Sequence, residues 1–552
     1  MAKSTTLPLI GLLGVAVIGS TIAVATNAVR TTDEYGFFDP IVDVRSLIDN
    51  LYVEQPDIDE LQLGAINGMI EQLDDPYTTF VPHRDEERFS KDLTGEYVGI
   101  GAEVQIRDGW LTISSPLDGS PSWKAGVMAD DRVIMIDGET TEGQSINDAI
   151  DRLTGEPKTK VVITVERGAE TLDIEIIRDH IKVQAVKGFM RTQTDEAWDF
   201  RIDTVRNIGY FRLTQFTPGC AQEIKDAIKS AETESGQALG GLIIDLRFNP
   251  GGLLDEAIEL ADMFIDEGKI VSTKGRAYEE RTAQATSKGT IKDLPLVVLI
   301  NGQSASASEI LAGALYDHDR AIVLGSRSFG KGSVQTVRGL ESGAGVLEIT
   351  EQYYYLPSGR LLHRRDDSTR WGVDPTDGYY VPVDNDQLLE MLTARRAQEI
   401  IASSQEINRV DLNDTAAILE ELHDPQLDAA VHVMQNRIDT GVFKPIGIKL
   451  NTPDDVALAE LNVLRDQQER LLRELTRVAK QVDVVESVID EDRVDENPRD
   501  FWDDEAELIG GQLIIRDKDG NIVTTLNITG DNLERWLLDA DVEKADEPES
   551  DS

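Results

Sequence analysis

Three serines alternate with alanine in the middle of the chain, in the sequence Ser304-Ala305-Ser306-Ala307-Ser308. The apolar run Leu296–Ile300 precedes them and predicts a buried strand, so the serines stand where a strand passes into a helix. Serine is a favoured helix cap, which accounts for at least one of the three. Small neighbours also leave a hydroxyl accessible, as a nucleophile requires. The motif alone therefore allows both a structural and a catalytic interpretation.

A lysine between two glycines follows, in Gly330-Lys331-Gly332-Ser333-Val334-Gln335. Burial beside apolar strands would lower the pKa of Lys331, and a neutral amine can act as a general base. For an isolated Gly-Lys-Gly, a lysine in a solvent-exposed turn is the more common explanation. The spacing of a phosphate-binding loop is absent, so nucleotide binding is not supported.

A pair of glycines, Gly251-Gly252, follows a second apolar run, Leu242–Leu246, and precedes a predicted helix. Backbone N–H groups at such a turn face outward beside a helix N-terminus, which suits a developing oxyanion or a phosphate. Taken alone, a structural strand-to-helix turn is the more common explanation.

Together the three motifs resemble the catalytic core of the carboxyl-terminal processing protease family, serine peptidases that carry a PDZ domain. The resemblance takes in Leu73–Thr78, residues 93–104 and Tyr354–Arg360, and covers roughly residues 36–440. It implies Ser306 as the nucleophile, Lys331 as the general base and Gln335 as the residue that orients this lysine. The oxyanion hole would use the Ala307 N–H and one amide of Gly251 or Gly252. This chemistry uses no metal and no cofactor, and we expect none.

A Ser-His-Asp triad is the rival within the same enzyme class. His318 is the one histidine between Ser306 and Lys331 in the sequence, in Asp317-His318-Asp319. It stands at a predicted helix end, and this position favours a structural role.

Residues 96–182 consist of short β runs separated by Gly and Asp turns, with one helix at Ile146–Leu153. This texture predicts a small, partly open barrel, and the segment resembles a PDZ domain. Val98-Gly99-Ile100-Gly101 stands in the place of the loop that binds a terminal carboxylate. Asp130-Asp131 departs from the usual Gly-Asp of the family and leaves that turn in question. The apolar loop residues lead us to expect substrates with nonpolar C-termini, and the partners to be unfolded or tail-exposed proteins.

The elements around these motifs predict a multidomain α+β protein with an N-terminal helical segment, a PDZ-like β-barrel, an α/β core and a helical C-terminal extension. The resemblance implies that the α/β protease core is crotonase-like. Strands and helices alternate from Ile208 to Tyr380, and the two apolar runs are continuous enough to be buried on both faces. We expect six segments: an anchor or signal at 1–30, a helical region at 36–95, the PDZ domain at 96–182, the peptidase core at 183–385, helices completing the core at 386–440, and an extension at 441–552.

In the extension, apolar residues from Leu461 to Val485 follow a 3/4 spacing. This spacing predicts either a coiled coil, through which the chain would form a homo-oligomer, or a helix packed on its own chain. An acidic linker at 490–507, a hairpin over Gln512–Asn527 and a disordered tail are expected beyond it.

The N-terminus carries an uncharged stretch of 22 residues, Leu7–Ala28. Its length favours an uncleaved membrane anchor over a cleaved signal peptide, although Ala23-Val24-Ala25 offers a cleavage site. Either interpretation predicts export to the cell envelope or a periplasm-like space. The formal net charge of −48 excludes nucleic acid as a natural partner and otherwise indicates a solvated surface. Cys220 is the single cysteine, so an internal disulfide is excluded.

Three functions compete on these grounds. The first is an exported processing endopeptidase. The second is a PDZ scaffold on an inactive hydrolase fold, which would lack the Ser306, Lys331 and Gln335 set. The third is a nucleotide-binding or enoyl-hydratase-like enzyme, which would not require a PDZ domain.

Overall fold

The computed structural model describes residues 36–191, 197–365, 368–399 and 410–449, single residues between 458 and 478, and the segments 512–516 and 522–527. The predicted anchor at Leu7–Ala28 and the acidic linker at 490–507 lie outside these residues. No helix among them is long and apolar enough to cross a membrane. The chain divides into two units, Met1–Ala457 and Leu458–Ser552.

The N-terminal region contains, in chain order, two helices, a strand and a third helix: α1 Asp39–Leu51, α2 Ile58–Glu71, β1 Thr79–Pro82 and α3 Glu86–Thr94. One turn of 3-10 helix, His83–Asp85, lies between β1 and α3. The sequence predicted helix throughout this region, and β1 corrects that prediction. Its residues Thr79-Phe80-Val81 favour a strand, and Pro82 cannot continue a ladder. β1 pairs with a strand of the core, so this region is part of the core's architecture.

The β-rich domain that follows has an antiparallel sheet and a separate two-stranded sheet. Its elements are β2 Glu96–Gly99, β3 Ala102–Arg107, β4 Trp110–Pro116, α4 Pro121–Lys124, β5 Arg132–Ile136, β6 Glu139–Thr140, α5 Ile146–Leu153, β7 Lys160–Arg167, β8 Glu170–Ile177 and β9 Asp179–Lys182. The larger sheet has the order β3-β4-β5-β7-β8, with β6 on β5, and β2 pairs with β9. Among the described residues no pairing closes these strands into one barrel, so the predicted barrel is not confirmed.

The core is built on a sheet whose central strands are parallel. Its elements are β10 Val186–Lys187, β11 Met190–Arg191, β12 Trp198–Asp199, β13 Arg201–Asp203, β14 Ile208–Leu213, α6 Cys220–Ser235, β15 Gly241–Asp245, α7 Leu254–Asp262, β16 Lys269–Gly275, β17 Tyr278–Gln284, β18 Leu296–Ile300, α8 Ala307–Asp317, β19 Ile322–Gly325, β20 Ser333–Gly339 and β21 Gly345–Tyr355. The order is β10-β14-β15-β18-β19. The strands β14, β15, β18 and β19 are parallel to one another, whereas β10 and β13 pair antiparallel with β14.

Both faces of this sheet are covered, as the apolar strands predicted. Leu242 and Ile244 pack on the side of α6, α7 and α8. Ile243 and Val297 face the other side, where three C-terminal helices lie: α9 Asn385–Glu399, α10 Thr415–Leu422 and α11 Pro425–Thr440. The alternation places successive strand residues in two separate hydrophobic clusters.

A second, antiparallel sheet has the order β1-β21-β16-β17, with β20 on β21. Strand β20, which directly follows Lys331 and Gly332, and the N-terminal strand β1 both pair with β21 in this sheet. In the second unit, β22 Gln512–Arg516 and β23 Ile522–Asn527 form an antiparallel pair, which confirms the predicted hairpin. Most of the predicted coiled-coil helix lies outside the described residues.

Candidate active site

The glycine and serine motifs meet at the carboxyl ends of two adjacent parallel strands, β15 and β18. Asn249, which is fully buried, joins them: its backbone carbonyl accepts from the Ala305 N–H at 3.0 Å and from the Ser308 hydroxyl at 3.0 Å. The Ser304 hydroxyl donates to the Leu246 carbonyl at 2.9 Å. Two of the three serines therefore hold the turns together.

Ser306 differs from its two neighbours. It adopts φ +56° and ψ −115° at the N-terminus of α8, a backbone conformation that costs a non-glycine residue free energy. Ser306 is 7% exposed, whereas Ser304 and Ser308 are fully buried. A strained serine where a strand passes into a helix is the geometry that exposes the nucleophile in other hydrolases. Of the three serines, Ser306 is therefore the candidate nucleophile.

The amides around Ser306 fit an anion. Ala307 is the first residue of α8, so its N–H has no partner within the helix. Gly251 has φ +105°, and a Cβ at this position would lie 2.7 Å from the Ser306 Cβ and 3.0 Å from the Ala307 nitrogen. Glycine is therefore required there for the two turns to approach.

The two glycines of the pair have different partners. The Gly251 N–H donates to the Asn249 Oδ1 at 2.8 Å. The Gly252 N–H has no acceptor among the described residues. In this conformation Gly252 is the amide that is available to an oxyanion.

Lys331 is half-buried, and its Nζ lies 4.8 Å from the centroid of the Tyr77 ring. Burial lowers the pKa of Lys331 below its ordinary value, against the opposing effect of the nearby acids Glu348, Asp75 and Glu309. A lowered pKa increases the fraction of neutral amine, which is the form that a general base needs.

A fully buried carboxylate, Glu309, joins the two motifs. Its Oε2 accepts from the Ser306 N–H at 2.9 Å and from the Lys331 N–H at 2.8 Å. Its Oε1 accepts from the Gly330 N–H at 2.7 Å and from the Ser328 hydroxyl at 2.5 Å. Burial raises the pKa of Glu309 to about 7, and the four donors work against this rise. One oxygen atom thus fixes the backbones of the candidate nucleophile and the candidate base next to each other.

Sequence reasoning assigned no role to Glu309. The available signal was the spacing Ser306-x-x-Glu309, which is the pattern of a capping box at a helix start. The reach of the carboxylate to Lys331, 22 residues later, carries no local signal.

The side chains of the candidate dyad have other neighbours in this conformation. The Ser306 side chain interacts with the buried Tyr354 hydroxyl, and the Lys331 amine rests over Tyr77. Among the hydrogen bonds of the described residues, none joins Ser306 to Lys331. The Gln335 amide donates to the Ser333 and Thr350 hydroxyls, both at 2.9 Å. Its predicted role on Lys331 stays a prediction.

His318 lies at the opposite end of α8, a helix of 11 residues and therefore about 16 Å long. Its Nε2 is 2.7 Å from the Lys269 carbonyl oxygen. This contact gives the histidine a structural role and leaves it too far from Ser306 for a triad.

Family models match three stretches of the chain: Peptidase family S41 at residues 207–377, a PDZ domain at 112–167 and the activating protease CtpB N-terminal domain at 20–84. A carboxy-terminal-processing protease of Bartonella bacilliformis is 38% identical over 352 residues, which cover 62% of this chain and 77% of that protein. The chain belongs to the carboxy-terminal-processing protease family. It is accordingly a serine-type peptidase, built as a multidomain α/β protein with PDZ and S41 peptidase domains.

Two further relatives extend the comparison. A probable CtpA-like serine protease of Staphylococcus aureus is 34% identical over 325 residues, 58% of this chain and 62% of that protein. The solved structure of a photosystem II D1 C-terminal processing protease is 26% identical, with a TM-score of 0.36, and covers 65% of this chain and 92% of that one. The crotonase-like detail of the predicted core stays a prediction.

A buried ion network stabilises the strand end that leads into the turn with Gly251 and Gly252. Arg247 is fully buried and donates to both oxygens of Asp245 and both oxygens of Asp424, at 2.7–2.9 Å. Arg395 of α9 also contacts Asp245 at 3.3 Å. These cations hold the pKa of Asp245 well below its ordinary value despite burial. The network ties α9 and α11 to the strand end that carries Gly251.

The PDZ domain presents a groove of about 1130 Å³ between β3 and α5. Ile100 and Gly101 line it, and their N–H groups have no acceptor among the described residues. Val98 and Gly99, predicted for the same loop, lie in β2 instead and pair with β9. The lining combines apolar side chains of the PDZ domain, among them Val104, Ile150 and Leu153, with charged side chains and with residues of the core. The charged residues are Arg88, Lys91, Glu103, Arg396 and Glu399, and the core residues include Thr214, Gln215 and Thr217.

The unusual Asp130-Asp131 pair is compatible with the domain. Asp130 adopts φ +65°, the left-handed conformation that a glycine often takes and that aspartate tolerates. Asp131 is fully buried and binds Arg167 through both oxygens at 2.7 Å. The turn therefore keeps its shape without the glycine.

Proposed function

We propose that this protein is an exported endopeptidase that binds the C-terminal tails of protein substrates in its PDZ groove and cleaves them with a Ser306/Lys331 dyad. The observation that carries the proposal is that one oxygen of the Glu309 carboxylate, Oε2, accepts from the N–H groups of both residues. The strained Ser306 backbone and the lowered pKa of Lys331 support it independently.

In the proposed mechanism the neutral Lys331 amine takes the proton of the Ser306 hydroxyl, and Oγ attacks the carbonyl carbon of the scissile peptide bond. The negative charge that develops on the carbonyl oxygen is stabilised by the N–H groups of Ala307 and Gly252, each donor being worth about 3–4 kcal/mol. The C–N bond then breaks, and Lys331 gives the proton to the leaving amine. Water hydrolyses the acyl-enzyme, with Lys331 again taking a proton.

The mechanism requires the Lys331 side chain to turn from Tyr77 toward Ser306 when substrate binds. Hydrogen bonds between catalytic groups are often long in unliganded sites and shorten in the substrate complex. Because Glu309 holds both backbones, this step is a side-chain rotation and needs no movement of the two turns.

The groove supports recognition of extended tails. The free edge of β3 among the described residues offers backbone groups for strand addition, and the Ile100 and Gly101 amides suit a terminal carboxylate. The apolar part of its lining, Val104, Ile150 and Leu153, favours nonpolar C-termini. Export, through the stretch Leu7–Ala28 as anchor or signal, is part of the same proposal.

Casein and an unfolded substrate with a C-terminal tag test the dyad. We expect Ser306→Ala and Lys331→Ala to abolish cleavage in both assays and His318→Ala to retain it, with mass spectrometry of the products identifying the cleaved bonds. Full activity of Lys331→Ala would reject the dyad, and loss of activity in a folded His318→Ala protein would reopen the triad.

Peptide binding to Ser306→Ala protein tests the tail. Peptides that end in Ala or Val should bind more tightly than matched peptides that end in Asp. Equal affinities would count against the proposed preference.

A further inference from the structure

The N-terminal region reaches the catalytic site through the turn that precedes β1. Asp75 fixes this turn by accepting from the Tyr77 N–H at 3.1 Å and from the Thr78 hydroxyl at 2.6 Å. Thr78 is buried and accepts in turn from the Thr350 N–H of β21 at 3.1 Å. The turn is therefore held against the same sheet that follows Lys331, although it lies more than 250 residues earlier in the chain.

This arrangement brings the Tyr77 ring to the Lys331 amine, with the Nζ 4.8 Å from the ring centroid. The ring of His363 packs edge-on against Tyr77, with 6.2 Å between centroids. Tyr77 and Lys331 are both half-buried, and the amine lies over the ring. The titratable groups around the amine come from three elements: Asp75 and Tyr77 of the turn, Glu309 of α8 and Glu348 of β21. His363, in the segment after β21, faces the Tyr77 ring.

We propose that Tyr77 is a positioning residue for the general base, with its ring forming the surface on which the Lys331 amine rests before it turns toward Ser306, and from which water is excluded. The inference rests on the proposed function, because it assumes that Lys331 is the base. An aromatic face attracts an ammonium and therefore holds this side chain in one place while it is protonated. The same ring removes water, which favours the neutral amine.

The groups around Lys331 show whether attraction to the ring or exclusion of water has the larger effect on the pKa of the amine. Every nearby charge that acts on Lys331 is an acid and raises its pKa, and so does attraction to the ring. The pKa is nevertheless lowered, with burial as the largest cause. Exclusion of water is therefore the main effect of the neighbours that cover the amine, and the Tyr77 ring, over which the amine lies, is one of these neighbours.

The experiment measures the pKa of the Lys331 amine directly, from the pH dependence of its acylation by a small anhydride, with mass spectrometry of the Lys331 peptide. The Ser306→Ala protein is used so that self-cleavage does not interfere. Tyr77→Ala should raise this pKa by roughly one unit. Tyr77→Phe, which retains the ring, should leave it unchanged. The matched control is Tyr353→Ala, because the Tyr353 ring also packs on His363, at 4.9 Å, without lying over Lys331.

Activity provides the second measurement, in proteins that retain Ser306. The acid limb of kcat/KM should move to higher pH in Tyr77→Ala by the same interval, which lowers kcat/KM about tenfold at a pH below both values. Tyr77→Phe should retain the wild-type profile. If Tyr77→Ala fails to fold, Tyr77→Gln brings a hydrated amide to the same place and should give the same shift.

An unchanged lysine pKa in Tyr77→Ala or Tyr77→Gln would overturn the inference, as would an equal shift in Tyr77→Phe, because the ring would then not be the cause. Failure of the proposed function has a different signature, since Lys331→Ala would then cleave substrate at the wild-type rate. The acylation measurement does not depend on activity, so the two failures are distinguishable.

Discussion

Glu309→Gln is the substitution that tests most sharply how the site is held together. The carboxylate accepts four hydrogen bonds, two on each oxygen. In the amide one oxygen becomes an NH₂ group, so two buried donors lose their acceptor at a cost of about 1–3 kcal/mol each. In the opposite direction, the substitution removes a buried charge. The rise of the Glu309 pKa from 4.5 to about 7 corresponds to roughly 3 kcal/mol.

These two effects are of similar size, so we expect the free energy of unfolding at pH 8 to change by no more than about 2 kcal/mol. We nevertheless expect activity to fall, because the substitution alters the common acceptor of the Ser306 and Lys331 N–H groups. A displacement of about 1 Å between reacting groups costs on the order of 100-fold in rate, and we expect kcat/KM to fall by at least this factor.

The assays are urea unfolding and cleavage of the tagged substrate, both at pH 8. Asp203→Asn is the matched control. Asp203 is equally buried and accepts from the Arg206 N–H and the Gln435 amide, but it pairs with the first residue of β14, at the end of the sheet opposite the active site. The control should lose stability and retain kcat/KM in its folded fraction. A folded Glu309→Gln protein with kcat/KM within about twofold of wild type would refute the reasoning.

Three further predictions follow from the same structure. Arg247→Met leaves two buried carboxylates without their main cation and should lower the free energy of unfolding by about 3–5 kcal/mol, measured by urea denaturation; a loss below about 1 kcal/mol would contradict the role given to the network. Gly251→Ala forces a Cβ to 2.7 Å from the Ser306 Cβ, and we expect at least a 100-fold loss of kcat/KM, about the effect of a 1 Å displacement; wild-type kinetics would show that the turns do not need this approach. Because burial raises the pKa of Glu309 to about 7 from 4.5, the folded protein binds more protons than the unfolded chain between these pH values. The contribution of this group to stability therefore falls as pH rises through this window, and Glu309→Gln should lack that part of the pH dependence in unfolding measured at pH 5 and pH 8.

Local patterns carried much of the fold. The apolar run Leu296–Ile300 is β18, and the run from Leu242 lies in β15. Both runs could be recognised because a strand that is buried on both faces consists mainly of consecutive apolar residues. The hairpin of the second unit was likewise predicted from its turn residues. These features depend on neighbours in sequence, which a single chain displays.

The features that sequence reasoning missed depend on partners that are distant in the chain. β1 was not recognised, because its four residues are stabilised by pairing with β21. Asp424, the partner of Arg247 at the N-terminus of α11, is 177 residues away. In the site, the types of Ser306 and Lys331 indicated the chemistry, whereas Glu309 and Tyr77 are identified only by the contacts that the fold creates.

The central claim is that Lys331 activates Ser306, and the rate at which a fluorophosphonate labels the serine measures this activation without any substrate. Mass spectrometry should find the label on Ser306, at a rate that rises with pH in the wild type and falls by orders of magnitude in a folded Lys331→Ala protein. Labelling of Ser306 at an equal rate in both proteins, or a label on Ser304 or Ser308 instead, would contradict the account.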